Sequence, residues 1–329
     1  MQFRTILEPH KAAFDLNYHT PILTVGSCFA ENIGNRLSDL RFPININPFG
    51  ILFNPISVAD CLNYLMTETI FTENDIFENN GLWHSWLHHG RFSSPEKDKI
   101  LRGVNDSLLE ARQFFKTANR LIITLGTANV FVENTSNKVV ANCHKVSLSM
   151  PKALLWRGTP TEQYFNKKRL SVTEIVESLS IVFSKIKTQN TDMQVIITVS
   201  PIRHIRDGLL ENQRSKATLL LAIEEIMKQF PNIHYFPAYE IVMDDLRDYR
   251  FYEADMIHPN SQAIAYIWQF FSETFFLNET KIIAEEVRKV NLMQQHRPLH
   301  PDTEGYKQFV DNLKKRTGDL EKKYPYLRF

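Results

Sequence analysis

Residues 22 to 34, ILTVGSCFAENIG, constrain the fold more than any other stretch of this chain. Ile22, Leu23 and Val25, interrupted only by Thr24, read as a short buried strand. Gly26 opens a tight turn, and Phe29, Ile33, Leu37 and Leu40 then recur at helical spacing. Ser27 and Cys28 therefore fall at a strand-to-helix turn. A helix N-terminus there offers free backbone N–H groups and the positive end of the helix dipole. That setting stabilises a thiolate or an oxyanion, so the turn suits a nucleophile. The competing reading is structural: Cys28 as a small core residue, Ser27 as a helix cap.

The rest of the chain repeats the same alternation. Apolar runs at 22–25, 43–46, 121–125, 194–199 and 233–236 are separated by longer amphipathic stretches. Helices are expected at about 57–66, 106–118, 171–187, 212–230 and 259–277. This is the α/β pattern, and it predicts a doubly wound, parallel five-stranded sheet in a three-layer, flavodoxin-like sandwich. Segments 70–104 and 130–165 read as insertions. Residues 1–278 form the expected α/β domain, and 279–329, with its alternating charges, a helical extension packed on it. In open sheets of this kind ligands bind outside the carboxyl ends of the strands. Those ends carry Ser27 and Cys28, the loop around Gly50, Gly126 to Asn129, and Ser200 to His204.

Composition narrows the function classes. With 38 basic and 37 acidic residues the net charge is +1, which gives no electrostatic case for nucleic acid. Three widely spaced cysteines, Cys28, Cys61 and Cys143, argue for a reducing compartment rather than a disulfide framework. The first residues lack an uninterrupted apolar core, and no run reaches the roughly 18 apolar residues of a membrane span. A soluble cytoplasmic protein is the expectation. The 12% aromatic content suits a thickly packed core or an apolar cleft.

The segment EADMIHPNSQA (253–263) places Asp255 three residues before His258, with Pro259 at an expected helix start. A carboxylate this close fixes the imidazole tautomer, freeing the other ring nitrogen to act as a general base. Asn142, His144, Lys145, Arg203 and His204 follow strand-like segments and are candidates to contact a carboxylate or phosphate on a substrate. His144 and His204 are also possible substitutes for His258. In GLWHSWLHHG, His84 and His88 have i, i+4 spacing, but no acidic or cysteine ligand accompanies them, so no metal site is assigned. An aromatic wall over a cleft fits this segment better.

Together these blocks resemble the SGNH (GDSL-type) esterase and acyltransferase superfamily. Gly26-Ser27-Cys28 echoes its first block, LGTAN its third, and Asp255 to Pro259 its last. More closely, the chain resembles the GSCFA family, whose motif stands at 26–30 as written, with NPFGILFNP, TLGTA, NCHK and SPIRH similar to that family's pattern. The resemblance implies a hydrolase or acyltransferase that needs no cofactor and acts on an ester or thioester, with acylated carbohydrate as one substrate class. Its catalytic residues would be Cys28 or Ser27, Asp255 and His258. Aligning the glycines puts Cys28 at the nucleophile position; a one-residue slip restores Ser27. The superfamily's oxyanion-hole Asn is replaced by Ala128, with Asn129 one place further on. Either Asn129 reaches in by a backbone shift, or that side-chain donor is missing and the N–H groups of Cys28 and Gly50 are left to stabilise the oxyanion, a lost donor costing about 3 kcal/mol. The alternative is a non-catalytic binding module that retains the fold and cleft.

Overall fold

A computed structural model describes residues 4–141, 165–300 and 302–329. The first half runs β1 (Ile22–Gly26), α1 (Cys28–Asp39), β2 (Ile44–Ile46), α2 (Pro55–Leu65), β3 (Ile76–Asn79), β4 (Leu82–Ser85), α3 (Lys97–Thr117) and β5 (Arg120–Leu125). It continues through β6 (Asn129–Glu133), β7 (Val139–Val140), β8 (Phe165–Arg169), α4 (Val172–Gln189), β9 (Gln194–Val199), α5 (Leu209–Gln229) and β10 (Ile233–Tyr235). The last three helices are α6 (Ser261–Phe275), α7 (Asn278–Gln294) and α8 (Glu304–Lys323).

The five apolar strands pair in parallel in the order β10-β9-β5-β1-β2. Because successive side chains of a strand point to opposite faces, alternate residues serve two cores. Leu23, Val25, Leu121, Ile123, Val195 and Ile197 face α2, α3, α4 and α5. Ile22, Ile122 and Ile196 face α1, α6, α7 and Leu320 of α8. The result is a three-layer α/β sandwich. The chain winds outward from β1 to β2 on one side and from β5 to β10 on the other, so the topological switch lies between β1 and β5, where a doubly wound sheet opens its crevice. Gly26 pairs with Thr124 at that point.

Several boundaries differ from those expected. Helix α3 starts at Lys97, nine residues before the expected 106, because Ile100 and Val104 continue the apolar stripe of Leu108, Ala111 and Phe115. Pro259 does not open α6: Asn260 caps it through Ala263 N–H, and Pro259 bridges Tyr252. The 130–165 insertion supplies more than a hairpin. β8 pairs antiparallel with β6, on the edge opposite β7. Within 70–104, β3 and β4 form a hairpin; Trp86, just past it, stacks on Phe77 of β3 at 3.8 Å, and His88 stacks on Phe49, in the loop after β2, at 4.3 Å. Its His84 and His88 are buried, so they are core side chains rather than a wall over a cleft. Among the described residues no helix is long and apolar enough to cross a membrane.

Candidate active site

The turn that carries Ser27 and Cys28 is built by close approach. Gly26 has φ +145°, and a Cβ there would lie 2.3 Å from the Thr124 carbonyl oxygen, so only glycine fits. Gly26 N–H donates to Asn47 Oδ1 at 2.9 Å, and Gly26 O accepts from Leu52 N–H. Asn47, fully buried with φ +46°, also accepts on its backbone oxygen from Gly50 N–H and Arg91 Nη2. It is the post to which the turn is tied. Ser27 is 1% exposed and caps α1, its hydroxyl accepting from Phe29 N–H at 3.3 Å. Cys28 follows as the first helical residue and is half-buried. Burial pushes its thiol up from the ordinary value and Glu31 adds to that, while the N–H groups of Cys28 and Phe29 and the charge of Lys216 pull it down.

Helix α5 meets the strand ends with a polar face. Along its buried stripe, Asn212, Ser215 and Lys216 give way to Leu219, Ala222, Ile223 and Ile226. Asn212 Oδ1 accepts from His204 N–H, and Ser215 Oγ accepts from Ala128 N–H. Lys216 Nζ, on a side chain 1% exposed, donates to Gly126 O at 2.7 Å and Ser200 O at 2.6 Å. Burial lowers this lysine to about 7, and Cys28 opposes that shift. His204 lies next to it, its Nε2 3.1 Å from where a Cβ on Gly126 would stand. Burial first, then Lys216, hold His204 down at about 3, so it is a poor base.

The third group comes from the loop before α6. Asp255 Oδ1 accepts from the N–H groups of Ile257 and His258, and Oδ2 pairs with His258 Nδ1 at 2.6 Å. These bonds, the backbone one from His258 foremost, lower Asp255 to about 2. The side chains are about half exposed, at 45% for Asp255 and 51% for His258. Arg203 docks this loop on the one after β9: its N–H donates to Ile257 O, Nη1 reaches Met256 O at 3.5 Å, and its guanidinium lies 4.2 Å over the Tyr252 ring. His258 is felt electrostatically at His204, which in turn feels Lys216, and Lys216 feels Cys28. No hydrogen bond joins Cys28 to His258 among the described residues.

The remaining sequence candidates divide. Gly50 N–H is committed to Asn47 O at 2.7 Å, which removes it as an oxyanion donor; its φ of +76° and the His89 Cβ 2.3 Å from where its own Cβ would be explain the glycine. Ala128 is fully buried, and Asn129 opens β6 with its N–H on Thr127 Oγ1. Asn142, His144 and Lys145 lie outside the described residues. Sequence reasoning missed Lys216, Asn47 and Ser215. The signal for the first was a lysine on the apolar stripe of a helix, at the i−3 position from Leu219.

Fold and site together define an α/β protein with a cysteine at the switch point of a doubly wound sheet and a histidine–carboxylate pair on a neighbouring loop. The family model described as "GSCFA family" matches residues 21–271, and "GSCFA domain protein, C-terminal domain" matches 287–329. The chain belongs to the GSCFA family. None of the curated proteins matches it.

Proposed function

We propose that this chain is an SGNH-like hydrolase or acyltransferase acting on an ester or thioester through a Cys28 acyl-enzyme. The observation that carries the reading is the Asp255–His258 pair at 2.6 Å, half-exposed on a loop that Arg203 ties to the carboxyl end of β9. Cys28 heads α1 at the sheet's switch point and is more open than the capping Ser27, which favours the sulfur over the hydroxyl. In the reaction, the sulfur forms a bond to the acyl carbon and the leaving group departs with a proton from His258. Asp255 holds Nδ1 and so presents the Nε2 lone pair as the base that first takes the thiol proton and later activates water or an acceptor hydroxyl. Arg203 and His204 border this space as substrate contacts. Acylated carbohydrate is the substrate class suggested by likeness to the superfamily. The chemistry draws on these side chains alone and calls for no cofactor.

A second reading, a binding module, is favoured by two findings: Gly50 N–H is spent within its own turn, and Ala128 stands where an oxyanion-hole Asn is expected. Labelling separates the two. An iodoacetamide or fluorophosphonate probe should modify Cys28, and His258→Ala should suppress that modification. Equal labelling in wild type and His258→Ala would rule out the histidine as the base.

A further inference from the structure

Lys216 is an unusual side chain to leave inside a protein. It is fully buried, it makes no ion pair with a carboxylate among the described residues, and its two hydrogen-bond partners are neutral backbone carbonyls. A buried ammonium without a counter-charge is costly, and such lysines are retained where the charge is used. The two carbonyls locate it. Gly126 lies two residues past Thr124, which pairs with Gly26, and Cys28 lies two residues past Gly26. Ser200 extends β9 by the same step, since Leu125 pairs with Val199. Lys216 thus spans the ends of two adjacent strands, beside the end of the strand that delivers Cys28. Two of the three N–H donors of an ammonium are occupied by carbonyls, which leaves one for a further acceptor.

We propose that Lys216 is the counter-ion of the Cys28 thiolate: a positioning residue whose ammonium, pinned by Gly126 O and Ser200 O, stabilises the negative sulfur as the thiol proton leaves. The proposal rests on the reading of Cys28 as the nucleophile. The charged surroundings are consistent with it. Cys28 faces its own N–H and that of Phe29, with Glu31 opposing the thiolate from one turn on. Around Lys216 stand the Tyr239 ring at 5.9 Å and the His204 imidazole, which in turn faces Asp207, Arg206 and His258. None of the carboxylates acts on Lys216, whereas Cys28 does. Burial drives both groups toward their neutral forms and each favours the other's charge, so a thiolate formed when a base takes the thiol proton is stabilised wherever Lys216 is still an ammonium.

The test is the rate at which iodoacetamide alkylates Cys28 in the full chain between pH 5 and 10, read by peptide mass spectrometry. Wild type is compared with Lys216→Met, Lys216→Gln and His258→Ala, each checked for native circular dichroism. Loss of the lysine charge should move the alkylation midpoint up by at least one pH unit and slow the reaction at pH 7 at least tenfold. Lys216→Gln keeps an amide donor for the carbonyls, so it serves where Lys216→Met fails to fold. A profile within twofold of wild type in a folded neutral variant overturns the proposal. The linkage is also read from the other side, in a variant that leaves the lysine in place. Cys28→Ala should lower the pH range over which Lys216 loses its proton, seen as a downward move of the range in which stability to urea rises with pH; no move contradicts the pairing. The arms keep the two readings apart. Slowing in the Lys216 variants without slowing in His258→Ala removes the histidine as base but keeps the pair, and the reverse pattern removes the pair alone. A Cys28 unreactive at every pH in wild type removes both.

Discussion

The two halves of the candidate site are tuned by opposite means. At the sheet edge, Cys28, Lys216 and His204 are shifted chiefly by burial, which drives the thiol up, the lysine to about 7 and the imidazole to about 3. On the loop before α6, Asp255 is lowered to about 2 chiefly by hydrogen bonds, with the charge of His258 adding a smaller share, on side chains that remain half in water. Burial favours neutral groups and hydrogen bonding favours a charged one, so the inner half is biased toward its neutral forms, with Lys216 still partly an ammonium near pH 7, while the outer half keeps an ionised carboxylate. A site divided in this way has its proposed nucleophile in a place that raises the cost of ionisation and its proposed base in a place that solvent can reach. The inner half therefore needs a local counter-charge, and the outer half can exchange protons with acceptor and product.

Substitutions can break or sharpen that contrast. The largest effect is expected for Cys28→Ala, which should reduce turnover of an activated ester at least about 10³-fold, measured by release of nitrophenol. Next is His258→Ala, with a loss of about 10²- to 10⁴-fold in the same assay, the usual range for a general base. Gly26→Ala introduces a side chain 2.3 Å from a backbone oxygen at a positive φ, and should cost about 3 kcal/mol or more in urea unfolding. Asn47→Ala leaves Gly26 N–H without its acceptor and should cost about 1–3 kcal/mol by the same measure.

The contrast also fixes the sign of the pH dependence. Lys216 in the folded protein loses its proton at about 7, against 10.5 for the free side chain. Between those values the unfolded chain binds more protons, so wild-type stability rises with pH across that window relative to Lys216→Met. Asp255 acts in the same direction at the acid end. Its depressed value contributes stability above the ordinary carboxylate range that is lost as pH falls toward about 2. Urea melts at pH 3, 7 and 9.5 check both signs.

The sequence made the frame legible wherever local pattern and tertiary role coincide. The central runs became β1, β5 and β9 because a strand buried on both faces is apolar nearly throughout, while the edge strands β2 and β10 are short and only partly buried. Asp255 and His258 were legible for a similar reason: three residues apart, they form their contact within one turn of chain. What stayed hidden depends on approach between distant segments. Lys216 is a polar residue inside an otherwise apolar helix face, and only the convergence of Gly126 and Ser200 explains it. Gly50 carried the reverse lesson. Its position after β2 suggested a free N–H, yet the tight turn from Asn47 uses that donor internally. The early start of α3 was hidden by the charged run Lys97, Asp98 and Lys99 and by Arg102 and Gly103, although Ile100 and Val104 keep the helical face.

The claim everything else depends on is that the sulfur at the head of α1 takes up an acyl group. Incubating the full chain with p-nitrophenyl acetate, quenching in acid and mapping peptides by mass spectrometry tests it directly. The account predicts one added acetyl on the peptide that holds Cys28, released by neutral hydroxylamine as a thioester and absent from Cys28→Ala. An acetyl on Ser27, or the same yield of modified peptide in Cys28→Ala, contradicts it.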